Sequence, residues 1–98
     1  MSYKLDFHPD ALKEWRKLDE AIKRRFKKKL AERLEQPRIP AASVSGGKDL
    51  YKIKLAATGY RLAYRVLDDT MVVYVLSVGK RERNLAYQTG LARANKDG

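Results

Sequence analysis

Residues 50–78 read LYKIKLAATGYRLAYRVLDDTMVVYVLSV, and the phase of that stretch decides the fold. Three strands run through it: Leu50–Leu55, Tyr60–Leu67 and Met71–Val78. All three are rich in Val, Ile, Leu and Tyr, which suit a pleated, packed surface. The connections Ala56–Gly59 and Asp68-Asp69 are short, which predicts antiparallel hairpins. With Ala56–Gly59 as the loop, Leu55 faces Tyr60, Ile53 faces Leu62 and Tyr51 faces Tyr64. These pairs are apolar or aromatic on one face, as a core face requires. Pairing the third strand across Asp68-Asp69 sets Leu76 beside Arg61 and Val78 beside Gly59, with Gly79 ending the strand.

Upstream, Tyr3, Leu5 and Phe7 alternate with Ser2, Lys4 and Asp6, the pattern of a short half-buried strand. His8-Pro9-Asp10 opens a helix, where proline is tolerated because its missing N–H would be unpaired anyway. Leu12, Trp15 and Leu18 give this helix one apolar stripe. Asp19 is placed to cap a second helix, on which Ile22, Phe26, Leu30 and Leu34 form a narrow seam. The remaining surface of this helix is densely basic, and Gln36-Pro37 stops it. Residues 37–48 read as a loop. Downstream, Glu82 to about Arg93 reads as a helix weakened by Gly90 in its interior, with a frayed tail from about residue 94. The expectation is one α+β domain over residues 1–98. An N-terminal strand and a helical hairpin pack on a mostly antiparallel sheet of about four strands, with a C-terminal helix added.

Composition narrows the partners. In 98 residues, 22 Lys and Arg stand against 12 Asp and Glu, a formal net charge of +10. A field of that sign and size attracts polyanions. The chain has no cysteine, which excludes disulfides and thiolate metal sites and fits a reducing cytosol. The longest apolar run, Met71 to Leu76, is too short to span a bilayer. The N-terminus has no continuous apolar segment of the kind a secretory signal needs.

The second face of the hairpin is unlike the first. Lys52 and Lys54 lie side by side on it, and Lys54 stands directly opposite Arg61, where like charges are destabilising. With Arg81 emerging from the last strand, four cations drawn from three strands converge on one area. Their bland reading is solvated surface residues whose stems bend apart. Convergence from three strands favours an oxyanion site instead. Such a site suits RNA cleavage, in which the ribose 2′-OH attacks the adjacent phosphate and no metal is needed. His8 is the only histidine, so a histidine pair is excluded, and beside Pro9 it reads as a helix-entry residue. Crowded lysines are disfavoured as ammonium ions, which suits Lys52 and Lys54 to proton removal. Arginine is a poor proton donor, so Arg61 and Arg81 are assigned mainly to transition-state charge. Tyr87 can stack on a base or bond a phosphate, and spacing alone fits a core-packing tyrosine equally.

At these residues the chain resembles the RelE family of toxin–antitoxin ribonucleases. The matching stretches are ALKEWRKL (residues 11–18), YKIKL (51–55), GYRLAY (59–64) and SVGKRER (77–83), followed by Tyr87. The likeness spans nearly the whole chain to about Ala92. It implies a RelE/ParE-like, microbial-ribonuclease-like fold. It implies a cytoplasmic toxin that enters the A site of the small ribosomal subunit and cuts mRNA without metal or other cofactor. Its partners would be mRNA, the ribosome and a RelB-type antitoxin that wraps the toxin and displaces its last helix, with no membrane involved. The family's catalytic lysines fall on Lys52 and Lys54, its phosphate-binding arginines on Arg61 and Arg81, and its stacking tyrosine on Tyr87. Nucleic acid would further rest on Lys23, Arg24, Lys27 and Lys28 of the basic helix, and on Lys48, Lys80 and Arg83. Phosphate contacts of that kind position without reading sequence. Two departures stand out: Ser43 and Ser45 occupy a loop that is basic in some relatives, and no histidine follows His8. Two other functions share the pattern, a ParE-type poison of gyrase and a plain RNA- or ribosome-binding module.

Overall fold

The computed structural model describes residues 2–80 and 85–97. Its elements are β1 (Lys4–Phe7), α1 (Pro9–Arg16), α2 (Glu20–Glu35), a 3₁₀ turn (Pro40–Ala42), β2 (Leu50–Leu55), β3 (Tyr60–Leu67), β4 (Val72–Lys80) and α3 (Leu85–Asp97). The strands form one sheet in the order β1-β4-β3-β2. β1 runs parallel to β4, and the other two pairs are antiparallel.

Helices α1 and α2 cover one face. Spacing by four places Ile22, Phe26 and Leu30 in line, and all three are buried against Ile53, Leu55, Leu62, Tyr64, Val66, Val73, Val75 and Val78. Trp15 ties the two helices together, its ring 6.1 Å from Phe26 and 5.4 Å from Phe7. Fully burying a side chain of this size contributes about 1.5–3 kcal/mol, so this layer carries most of the fold's stability. His8 caps α1 through Nδ1, which accepts from the Asp10 amide at 3.1 Å. Asp19 occupies the N-cap position of α2, yet its side chain makes no capping bond. Before Pro37 the backbone leaves the helical region at Gln36 (φ −139°, ψ 83°), as the ring of a following proline demands.

The β2–β3 register is the one that the alternation implies, with Leu55 opposite Tyr60, Ile53 opposite Leu62, Tyr51 opposite Tyr64 and Lys54 opposite Arg61. Gly59, in the left-handed region at φ +76°, lets the loop close. The β3–β4 register differs from expectation. The turn takes four residues, Asp68 to Met71, with Met71 at φ +56°. A bulge between Ala63 and Tyr64 then leaves Leu76 as an extra residue on β4. Arg61 therefore faces Gly79, not Leu76, and the strand continues through Gly79 to Lys80 opposite Tyr60. Residues 72–76 are VVYVL, apolar at every position, so alternation carries no phase there.

Helix α3 covers the other face, where Leu50, Leu76 and Ala94 form a second, smaller core with Val44, Tyr74 and Leu91. The helix extends past Arg93 because Ala92 and Ala94 are strong helix formers and nothing before Asp97 breaks it. Gly90, a weakness on propensity grounds, is where α3 meets the sheet. A Cβ there would lie 2.8 Å from the Ala63 Cβ and 3.1 Å from the Ser77 Oγ. The helix can approach this closely only because that atom is missing.

Candidate active site and nucleic-acid face

The face beneath α3 gathers three of the five residues assigned to catalysis. Lys52 projects from β2, Arg61 from β3 and Tyr87 from the first turns of α3. The Lys52 Nζ lies 5.5 Å from the centre of the Tyr87 ring, and the Arg61 Cζ lies 5.3 Å from it. Cations held over an aromatic face gain about 0.5–2 kcal/mol each, which offsets part of their mutual repulsion. Arg61 is 9 % exposed and Tyr87 8 %. Burial raises the Tyr87 phenol above its ordinary pKa, and the Arg61 charge pulls it back in part. Its hydroxyl is buried and has no hydrogen-bond partner among the described residues. An inward-facing hydroxyl of that kind is costly unless a ligand engages it. Tyr87 is thus both a packed tyrosine and a polar group beside two cations.

Lys52 and Tyr87 also line a 270 Å³ cavity with Ser43, Val44, Ser45, Gln88 and Leu91. The segment before β2 closes this cavity by folding back on the strand: Ser43 forms a bridge with Tyr51, and the Val44 amide donates to the Leu50 carbonyl at 2.9 Å. From below, Arg33 of α2 anchors the same strand. Its Nη1 donates to the Lys52 carbonyl at 3.2 Å and to the Tyr64 hydroxyl at 2.8 Å. That hydroxyl in turn donates to the Pro37 carbonyl at 2.6 Å. No local pattern marks Arg33, whose partners lie far away in sequence.

Lys54 keeps its place opposite Arg61 but is exposed, and it borders a 490 Å³ groove between α2 and the sheet edge. Arg25, Lys28, Lys29 and Glu32 line that groove with it. No carboxylate pairs with Lys52 or Lys54 among the described residues. Lys28 is thereby joined to β2, and Arg25, one helical turn before it, and the adjacent Lys29 line the same groove. Arg24 and Lys27 are exposed and border none of this groove, while Lys23 pairs with Glu20 at 3.4 Å. Lys80 stands at the same end of the sheet as Arg61, its Nζ 5.9 Å from the centre of the Tyr60 ring. Lys48 is elsewhere. It lines a cavity at the far end of β3 with Asp49, Arg65, Asp68 and Asp69, where Arg38 bonds both Asp49 and Asp68. Arg81 and Arg83 lie outside the described residues. Among the described residues no three His, Cys, Asp or Glu side chains gather to hold a metal ion.

Comparison with known proteins matches residues 5–85 to a family model described as ParE toxin of type II toxin–antitoxin system, parDE. Over 93 residues the chain is 54 % identical to the mRNA interferase toxin RelE of Escherichia coli K12, covering 95 % of this chain and 98 % of the relative. A double Arg-to-Ala mutant of E. coli toxin RelE in the free state superposes with a TM-score of 0.86 at 52 % identity, covering 95 % and 98 % of the two chains. The toxin of the intact E. coli RelBE toxin–antitoxin complex matches at a TM-score of 0.81 and 56 % identity, over 84 % of this chain and 100 % of that one.

Proposed function

Because the chain belongs to the RelE–ParE family of type II toxins, we propose that it is an endoribonuclease toxin that cuts mRNA in the ribosomal A site and so arrests translation. One observation carries the site: Lys52 and Arg61 meet over the Tyr87 ring at 5.5 and 5.3 Å. Lys54 stands beside them on a strand where alternate residues are about 7 Å apart. A backbone phosphate entering here meets cations from two strands and a polar aromatic edge. One of the two lysines takes the 2′ proton as the 2′-oxygen bonds to phosphorus. Arg61, together with Arg81, holds the charge that builds on the phosphoryl oxygens. The bond from phosphorus to the 5′-oxygen breaks, and that oxygen leaves with a proton. The products are a 2′,3′-cyclic phosphate and a 5′-hydroxyl end.

The α2 groove extends the same field along Lys28, Arg25 and Lys29, and we assign it, with Lys23, Arg24, Lys27, Lys80 and Arg83, to phosphates of mRNA or ribosomal RNA. Lys48 stands apart from that surface, so its phosphate would belong to a separate contact. A RelB-type antitoxin is the proposed partner, by likeness to the RelBE complex. The cytoplasm is the proposed location, since ribosomes are there. No described helix is long and apolar enough to cross a membrane.

The test adds purified protein to translating ribosomes and maps new mRNA ends by primer extension. Cuts within A-site codons are expected, with most activity lost in Arg61→Ala and Arg81→Ala. Intact mRNA with the unmodified protein overturns the proposal. The ParE description of the matching family model favours a second reading, a poison of gyrase. Inhibited supercoiling without RNA cleavage would establish that reading in its place.

A further inference from the structure

β4 loses its neighbour halfway along. β1 pairs with it only from Lys4 opposite Val72 to Phe7 opposite Val75, and the His8 amide makes the last contact, to the Val75 carbonyl at 2.8 Å. The bulge at Leu76 then reverses which peptide groups face the open side. Groups left bare on a sheet edge need partners when they are buried. Here two side chains supply them. Glu14 of α1 accepts from the Val78 amide at 3.0 Å, and Arg93 of α3 donates to the Leu76 carbonyl at 2.6 Å. The two side chains also bond each other through both ends, at 3.1 and 2.9 Å. Their side chains are 33 % and 17 % exposed, so the pair is partly shielded from water. Glu14 comes from one helical layer and Arg93 from the other, and they join around the edge of the strand between them.

We propose that Glu14 and Arg93 are positioning residues for RNA cleavage, together replacing the missing stretch of β1. The inference rests on the endoribonuclease reading. The bond to Val78 fixes the end of β4, where Gly79 faces Arg61 and Lys80 faces Tyr60. Arg93 fixes the seat of α3, and six residues earlier that helix carries Tyr87. The pair thus sets the spacing between Arg61 and Tyr87 without touching RNA. A shift of about 1 Å in a catalytic constellation costs on the order of 100-fold in rate.

The test uses the full chain and three variants, Arg93→Ala, Glu14→Gln and the charge swap Glu14→Arg with Arg93→Glu. Each is assayed for A-site cleavage under saturating and limiting ribosomes, and for amide exchange residue by residue. Arg93→Ala is expected to lower kcat by about 10- to 100-fold with KM changed less than about threefold, and to speed exchange in α3 but not in α2. Glu14→Gln keeps an acceptor for Val78 and should retain that amide's protection. The swap should restore protection of α3 but leave the Val78 amide exposed, since arginine cannot accept its hydrogen bond. Wild-type kcat in Arg93→Ala, or a loss matched by equal deprotection of α2, overturns the proposal. If the unmodified protein cuts no mRNA, the endoribonuclease reading fails, and the exchange data still decide whether the pair couples α3 to β4.

Discussion

The two faces of one sheet do opposite work with adjacent residues of the same strands. Below, Ile53, Leu62, Tyr64 and Val66 meet Ile22, Phe26 and Leu30 in a wide apolar layer. Above, Lys52, Arg61, Ala63 and Ser77 meet a helix that touches down at a glycine. The lower face is redundant, since many contacts share the load. The upper face depends on a few close approaches and on charges that repel each other. A strand can carry such a site only because its alternate residues are secured from the other side.

The contrast can be broken most severely from below. Phe26→Ala should cost about 3–5 kcal/mol, read as a shift in urea midpoint, with cleavage falling only as far as the folded fraction falls. From above, Lys52→Met keeps the stem and removes the charge. We expect about a 100-fold loss or more of cleavage, with the urea midpoint unchanged or raised, because one like-charge contact is gone. A fall in stability comparable to that of Phe26→Ala would show the two faces are not separable. Gly90→Leu forces a side chain into the Ala63 and Ser77 contact. It should lift α3, cost about 1–3 kcal/mol and reduce cleavage at least tenfold, while amide protection in α2 persists.

The lower face also carries one group that responds to pH. Burial raises the Tyr64 phenol, and the Arg33 contact lowers it in part. An unfolded tyrosine ionises near pH 10, whereas the folded one holds its proton to higher pH. Its contribution is complete below about pH 10 and is lost as pH rises through the folded value. Tyr64→Phe gives up the bonds to Arg33 and Pro37, about 1–2 kcal/mol at neutral pH. Its stability should then fall less steeply than the parent's as pH rises above about 10, in urea titrations at stepped pH.

Legibility followed locality. The β2–β3 register could be read because Lys52 and Lys54 interrupt the apolar residues and mark the phase. β4 could not be phased, since Val72 to Leu76 offers an apolar side chain at every position. The four-residue turn and the bulge moved its pairing by three residues. Lys52 and Arg61 were recognisable together from the hairpin register, and Tyr87 joined them only through the family resemblance, whereas Glu14, Arg33 and Arg93 were not recognisable, for their partners lie 17 to 79 positions away. Gly90 looked like a defect because propensity counts only the helix's own backbone.

Taken alone, the sequence determined the class of fold, the order of elements, the first hairpin and the excess of positive charge. Each follows from near neighbours: side-chain period, turn residues and composition. Tertiary structure alone decided the parallel partner of β1, the phase of β4, the seat of α3 on Gly90 and the bridging of a bare strand edge by Glu14 and Arg93. Those outcomes depend on which surfaces meet once the chain has closed, and contact distances between remote residues leave no period in the sequence.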